Sequence, residues 1–184
     1  MTYLMPALRS FMTRFGEVEV TLACEDSATL WAKVDRGQID LALLTRDAPS
    51  RGELLFREAL VWGGAEQHEA WKRSPLPIAV HGLSDRLRTS LLASITGLGR
   101  EYRVVYNSPN VSGQLTAMDS GLAVAVVTRC SLPTHLKVLD LRHGLPDLPV
   151  AEVVLTRSRD SAGSRAADAL YTHIADALRD PLCN

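Results

Sequence analysis

Residues 102–133, YRVVYNSPNVSGQLTAMDSGLAVAVVTRCSLP, restrict the fold more than any other stretch of the chain. Residues 103–106 are a short, apolar, β-branched run and read as a strand buried on both faces. Asn107, Ser108, Pro109 and Asn110 are turn and helix-start residues. Val111, Leu115 and Met118 recur at helical spacing, and Gly121 stops the helix. Residues 122–127 form a second apolar strand that ends at Thr128. Strand, polar turn, helix, glycine, strand is a βαβ unit. Its two strands are expected as parallel neighbours joined by a right-handed crossover. Ligands of such sheets bind at the carboxyl ends of the strands, beside helix N-termini. That rule puts Ser108, Asn110 and Thr128 on one rim.

The rest of the chain repeats the pattern. Leu4, Leu8, Phe11, Met12 and Phe15 share one face of an amphipathic helix ended by Gly16. Residues 18–23 read as a strand, Asp26 or Ser27 caps a helix running to Arg36, and Gly37 stops it. Residues 39–44 form a strand ending at Thr45, and 54–62 a long strand ending in Gly63-Gly64. Past an irregular stretch to Pro77, residues 78–80 form a short strand. Gly82 and Ser84 then lead into a helix over 85–98. After the βαβ unit come a strand over 136–139, a turn-rich stretch over 142–149, a long strand over 150–156 and a helix over 164–178. Compared with the second module, the first lacks an opening strand, as a trimmed fragment would. Two lobes follow, one from 1–62 and 155–184, the other from 63–154. Crossed twice by the chain, they are expected to hinge around a ligand.

Composition narrows the function classes. A formal net charge of −1 over 184 residues leaves no basic stripe for a large nucleic-acid footprint. Cys24, Cys130 and Cys183 are odd in number and far apart. They form neither a zinc spacing nor a disulfide framework, which fits a reducing, cytoplasmic setting. No signal peptide and no apolar run of roughly 18 residues is present. The histidines show no HxxxH or HExxH spacing, so no metal site is expected. The absence of a G-x-S-x-G elbow, a Walker loop or a dinucleotide fingerprint leaves no catalytic residue and no cofactor to nominate.

Several segments, in order, carry a family resemblance: SATLWAKVDRGQIDLALLT, REALVWGGAEQHEAW, PLPIAVHG, REYRVVYNSPN, GQLTAMDSGLAVAVVT and LPTHLKVLDL. Over essentially its whole length the chain resembles the effector-binding domain of LysR-type transcriptional regulators. The resemblance implies an α/β, two-lobed fold of the type 2 periplasmic-binding-protein kind, each lobe a largely parallel sheet flanked by helices, here without the first strand of lobe one. It also implies a small-molecule effector, often a carboxylate or aromatic metabolite, bound between the lobes to alter DNA binding and transcription. A homodimer or tetramer is implied too, with part of the pairing surface on the first helix and residues 18–23. DNA contact in the family comes from an N-terminal helix-turn-helix that these residues do not contain. A transporter's solute-binding protein is the alternative; an enzyme on the same fold would need an acid/base set that is not seen.

The candidate effector contacts are Ser27, Thr45, Ser108, Asn110 and Thr128. Each has a plainer reading. Ser27, Ser108 and Asn110 could simply cap helices, and Thr45 and Thr128 could close turns. Gly63 and Gly64 suit a hinge or an ordinary strand end. Trp62 reads as core, and Cys24 as a packed thiol in an apolar strand. Arg86, Arg88, Arg100 and Arg103 read as a solvated basic face.

Overall fold

The computed structural model describes residues 3–80, 85–108 and 110–179, with side chains from 88 onward in the second segment. Gly82, Ser84, Pro109 and Cys183 lie outside the described residues, and so does the side chain of Arg86. The chain divides into two compact units, Met1–Arg57 with Ala151–Asn184, and Glu58–Val150.

The first unit contains α1 (Leu4–Arg14), α2 (Ser27–Asp35), β1 (Leu41–Thr45), most of β7 (Val150–Arg157) and α5 (Arg165–Leu178). Strand β1 pairs antiparallel with β7, from Leu41 against Arg157 to Thr45 against Val153. Helix α1 buries Ala7, Leu8 and Phe11. Met12, expected on that face, is 48% exposed. Its face is set by positions 4, 7, 8 and 11, and position 12 rotates past it. Helix α5 turns Ile174, Ala175 and Leu178 onto Leu8, Leu55, Phe56 and Leu155. Trp31 and Val34 of α2 pack with Ala42, Leu44 and Val154.

Residues 18–23 do not form a strand among the described residues. The backbone turns after α1, where the Val18 amide donates to the Phe15 carbonyl. Val20 rests on the α1/α5 core, yet among the described residues no strand pairs with the segment. Strand propensity is largely the propensity to fit an existing pleated neighbour, and the described residues offer none to this segment. The same correction applies to Cys24, which is exposed.

The second unit holds β3 (Leu76–Val80), α3 (Asp85–Gly97), β4 (Tyr102–Asn107), α4 (Val111–Asp119), β5 (Val124–Thr128), β6 (Lys137–Leu139) and the later part of β2 (Glu53–Gly64). Strand β3 pairs parallel with β4 on one side and β5 on the other. The two strands of the βαβ unit are therefore parallel but not neighbours, because β3 lies between them. That leaves β4 on the edge, with Val104 and Tyr106 each 36% exposed. The expectation of a strand buried on both faces fails for this reason: a β-branched run can also sit on a half-solvated edge. Pro77 is tolerated inside β3 because pairing with β5 begins only at Ile78.

Strand β2 runs antiparallel to both β5 and β6. Gly63 and Gly64 lie inside it, facing Ala125 and Val138, and Lys137. A Cβ on Gly63 would sit 2.6 Å from Met118 Sδ and from Leu132 Cδ1. These glycines thus admit neighbouring side chains. The passage between the units falls earlier in β2, after Arg57.

Arg100 is not part of a solvated face. Its guanidinium donates to the carbonyls of Trp71, His143 and Gly144. Burial pulls its pKa below the usual arginine value. Three carbonyls converging on one cation make it a clamp under the core.

In the first unit, Glu53 accepts from Tyr171 Oη and Arg179 Nη2, each at 2.7 Å. The bond from Arg179, then that from Tyr171, holds its carboxyl below the ordinary value. Burial, followed by the bond to Glu53, pushes Tyr171 up to about 12. We expect the Tyr171 phenol to ionise near pH 12, seen as the part of the phenolate absorbance that Tyr171→Phe removes. Glu53→Gln should lower this value but leave it above 10, because burial is the first cause. An unchanged Tyr171 titration would contradict the assignment. For Glu53 the depressed folded pKa means its stabilisation is present above the unfolded value and is lost as pH falls through the folded one.

Candidate functional site

The first rim is built at the start of α2. Asp26 is the N-cap; its carboxylate accepts from the Thr29 amide at 3.0 Å and from Thr29 Oγ1 at 2.6 Å. The side-chain bond, then the backbone bond, lowers its pKa. Glu25 pairs with Lys33. With Asp26 doing the capping, Ser27 is released for another task. Its Oγ accepts from the Thr45 amide at 3.2 Å. Two residues chosen independently from the sequence thus meet, and the start of α2 is tied to the end of β1. The Thr45 side chain is exposed beside this bond.

The second rim lies along the carboxyl ends of β5, β3 and β4. Ser108, after β4, is buried and its Oγ accepts from the Asn110 amide at 3.2 Å. This is a serine turn that sets the entry to α4. Asn110 occupies the N-cap position, but its side chain makes no capping bond to α4. The Gly113 and Gln114 amides donate to the Asn110 carbonyl. The first amides of the helix therefore face outward, where an anion would be stabilised. A Cβ on Gly113 would come within 2.8 Å of both Ser108 Oγ and Tyr106 Oη. The glycine lets these two hydroxyls close on the helix start.

Thr128 ends β5. Its Oγ1 shares a 2.7 Å hydrogen bond with Ser131 Oγ, and Cys130 Sγ donates to it at 3.5 Å. The Cys130 amide donates to Oε1 of Glu58, a residue only 6% exposed. Ser108 and Asn110 touch each other; Thr128 shares their edge of the sheet but bonds to its own neighbours.

Sequence reasoning missed Gln114. It is fully buried, and its Nε2 donates to the Val80 carbonyl at 2.6 Å and the Ser108 carbonyl at 3.4 Å. It thereby ties the ends of β3 and β4 to the first turn of α4. The available signal was a polar residue on the inward face of a helix, next to Leu115 and a turn from Met118. Tyr106 was read only as part of a strand.

Among the described residues no group of three or more His, Cys, Asp or Glu could hold a metal ion. None of the described helices is long and apolar enough to cross a membrane. A hollow of about 640 Å³ lies at the opposite, amino ends of β3 and β4, lined by Pro75, Thr96, Arg100 and Tyr102 among others. The Arg100 guanidinium beside it is already committed to backbone carbonyls, so the rims are the better candidates.

Residues 1–179 match the profile of the LysR substrate binding domain. The chain is 31% identical over 161 residues to the HTH-type transcriptional regulator DgdR of Burkholderia cepacia, covering 85% of this chain and 54% of that protein. The chain therefore spans about half the length of this relative. Among solved structures it resembles the regulatory domain of CcmR from Synechocystis PCC6803 in complex with 2-PG. There the TM-score is 0.76 and the identity 13%, over 97% of this chain and 93% of the other. The effector-binding domain of QuiR in complex with shikimate gives a TM-score of 0.72 at 13% identity, over 95% and 90% of the two chains. At such identities the likeness is one of fold.

Proposed function

Because the chain belongs to the LysR substrate-binding domain family, we propose that it is the effector-sensing part of a bacterial transcriptional regulator. It binds a small organic acid at the rims that carry Ser27, Thr45, Ser108, Asn110 and Thr128. The Ser27 bond to the Thr45 amide is the observation that carries this reading. It brings a helix start and a strand end together in the way the second rim does, where α4 begins beside β4 without a cap from the Asn110 side chain. The related domains of CcmR and QuiR, solved with 2-PG and shikimate, support an acidic ligand. The proteins named above are regulators, and nothing in them favours a transporter component or an enzyme.

An effector changes the regulator only if it binds one arrangement of the protein better than another. In the whole regulator this domain works in the cytoplasm as a homodimer or tetramer, and DNA contact lies outside the residues matched here. Light scattering of the purified chain tests pairing.

A thermal-shift panel of small organic acids tests the binding assignment. For any acid that raises the melting temperature, Ser27→Ala and Thr128→Ala should each weaken affinity by about 3- to 10-fold, the worth of one hydrogen bond. Affinities left untouched by both changes would place the ligand elsewhere.

A further inference from the structure

The Gln114 side chain carries information about the ligand that the rims alone do not. Its amide faces two backbone carbonyls, those of Val80 and Ser108. Carbonyls accept and never donate, so the NH₂ group must face them; reversing the amide would set three oxygens against one another. The atom left over is therefore the oxygen. Oε1 of Gln114 is buried and, among the described residues, has no hydrogen-bond partner. An orphaned buried acceptor is costly and calls for a donor. Gln114 is the fourth residue of α4, so this acceptor lies at the first turn. The amides of Val111 and Ser112 open the same turn without a capping bond from the Asn110 side chain, and no acidic residue stands in it. The same turn thus offers donors to an anion and carries one buried acceptor that wants a donor.

We propose, on the strength of the rim reading above, that the effector is a carboxylic acid bearing a hydroxyl or ammonium group beside its carboxylate, and that Gln114 selects for this second group. The carboxylate lies at the amides that open α4, and the neighbouring donor reaches beneath the helix start to Gln114 Oε1. An acid without the donor leaves that oxygen unpaired, and the difference appears as discrimination between otherwise matched ligands.

Calorimetry on the purified chain with matched sets tests this. One set is alanine, lactate and propionate; another is phenylalanine, phenyllactate and phenylpropionate; a third is shikimate against cyclohexenecarboxylate. In at least one set the donor-bearing acids should bind about 10-fold or more tightly than the donor-free one. The amino and hydroxy arms tell which donor is used. Gln114→Met, which keeps the volume and removes the acceptor, should bring the preference to within about twofold by weakening only the donor-bearing acids. Equal binding of matched acids by the unaltered protein, a measurement that needs no variant, would overturn the role of Gln114 while leaving the rims intact. Binding that ignores Ser27→Ala and Thr128→Ala, or no binding in any set, would remove the rim reading and this inference with it.

Discussion

Trp62→Ala should lower stability by about 3–5 kcal/mol, read as a shift in the urea midpoint at unchanged slope. The side chain is 1% exposed and sits in the core formed by Trp71, Leu76, Ile78, Ile95, Val124 and Leu145. Its indole Nε1 donates to the Pro146 carbonyl at 3.0 Å. Two costs therefore combine: a cavity in a packed interior and an abandoned buried acceptor. Trp62→Phe separates them. It keeps most of the volume and loses the bond, so it should cost about 1–3 kcal/mol, chiefly the unpaired Pro146 oxygen. A loss under about 0.5 kcal/mol for the alanine variant, within the range of surface substitutions, would show that this core closes over the gap. The same result would weaken the view that β2 is pinned to the stretch before β7 by this one side chain.

Most of the architecture was legible because its punctuation is chemical. Asp26 caps α2 as an acid before a helical period should, and Gly37 and Gly121 stop their helices with positive φ values of 69° and 67°. The order of β3, α3, β4, α4 and β5 also follows from alternating apolar runs and helical spacing. What resisted reading depends on neighbours that are distant in sequence. Residues 18–23 have strand composition but no ladder to join. The insertion of β3 between β4 and β5 leaves no trace in the βαβ stretch itself, and with it went the exposure of β4. At the site, Ser27 and Thr45 were legible as rim residues, but their direct bond was not. Nothing in either segment announces that Asp26 takes the cap and frees the serine. Gln114 stayed hidden because helical periodicity sorts apolar residues and ignores a polar one that is buried to tie two strand ends together. Arg100 was misread for the opposite reason: a charge is assumed solvated until three carbonyls are found around it.

Gly52→Ala is the change expected to damage the first unit most for the fewest added atoms. Gly52 has φ +69°, in the left-handed region, and a Cβ there would lie 2.8 Å from Val154 Cγ2, 3.0 Å from Val154 Cβ and 3.2 Å from the Leu155 carbonyl oxygen. The conformation alone costs a residue with a Cβ about 1–2 kcal/mol. Overpacking against a filled interior adds about 1–3 kcal/mol. Val154 cannot step aside easily, since it is fully buried among Trp31, Val34, Ala42 and Leu44. The Gly52 carbonyl also accepts from Arg46 Nη2 at 3.0 Å, while Arg46 Nη1 pairs with Glu152 at 3.1 Å. A shift of this turn would therefore loosen the loop that follows Thr45, one of the rim residues. The two contributions can be told apart with a double substitution. Gly52→Ala on a Val154→Ala background should regain the steric share, measured against Val154→Ala alone, but not the share due to φ. Full additivity of the two changes would mean that the methyl group never meets Val154. A Gly52→Ala protein as stable as the parent would mean that the turn re-forms with a negative φ, and the link from this turn to the Thr45 rim would then have to be abandoned.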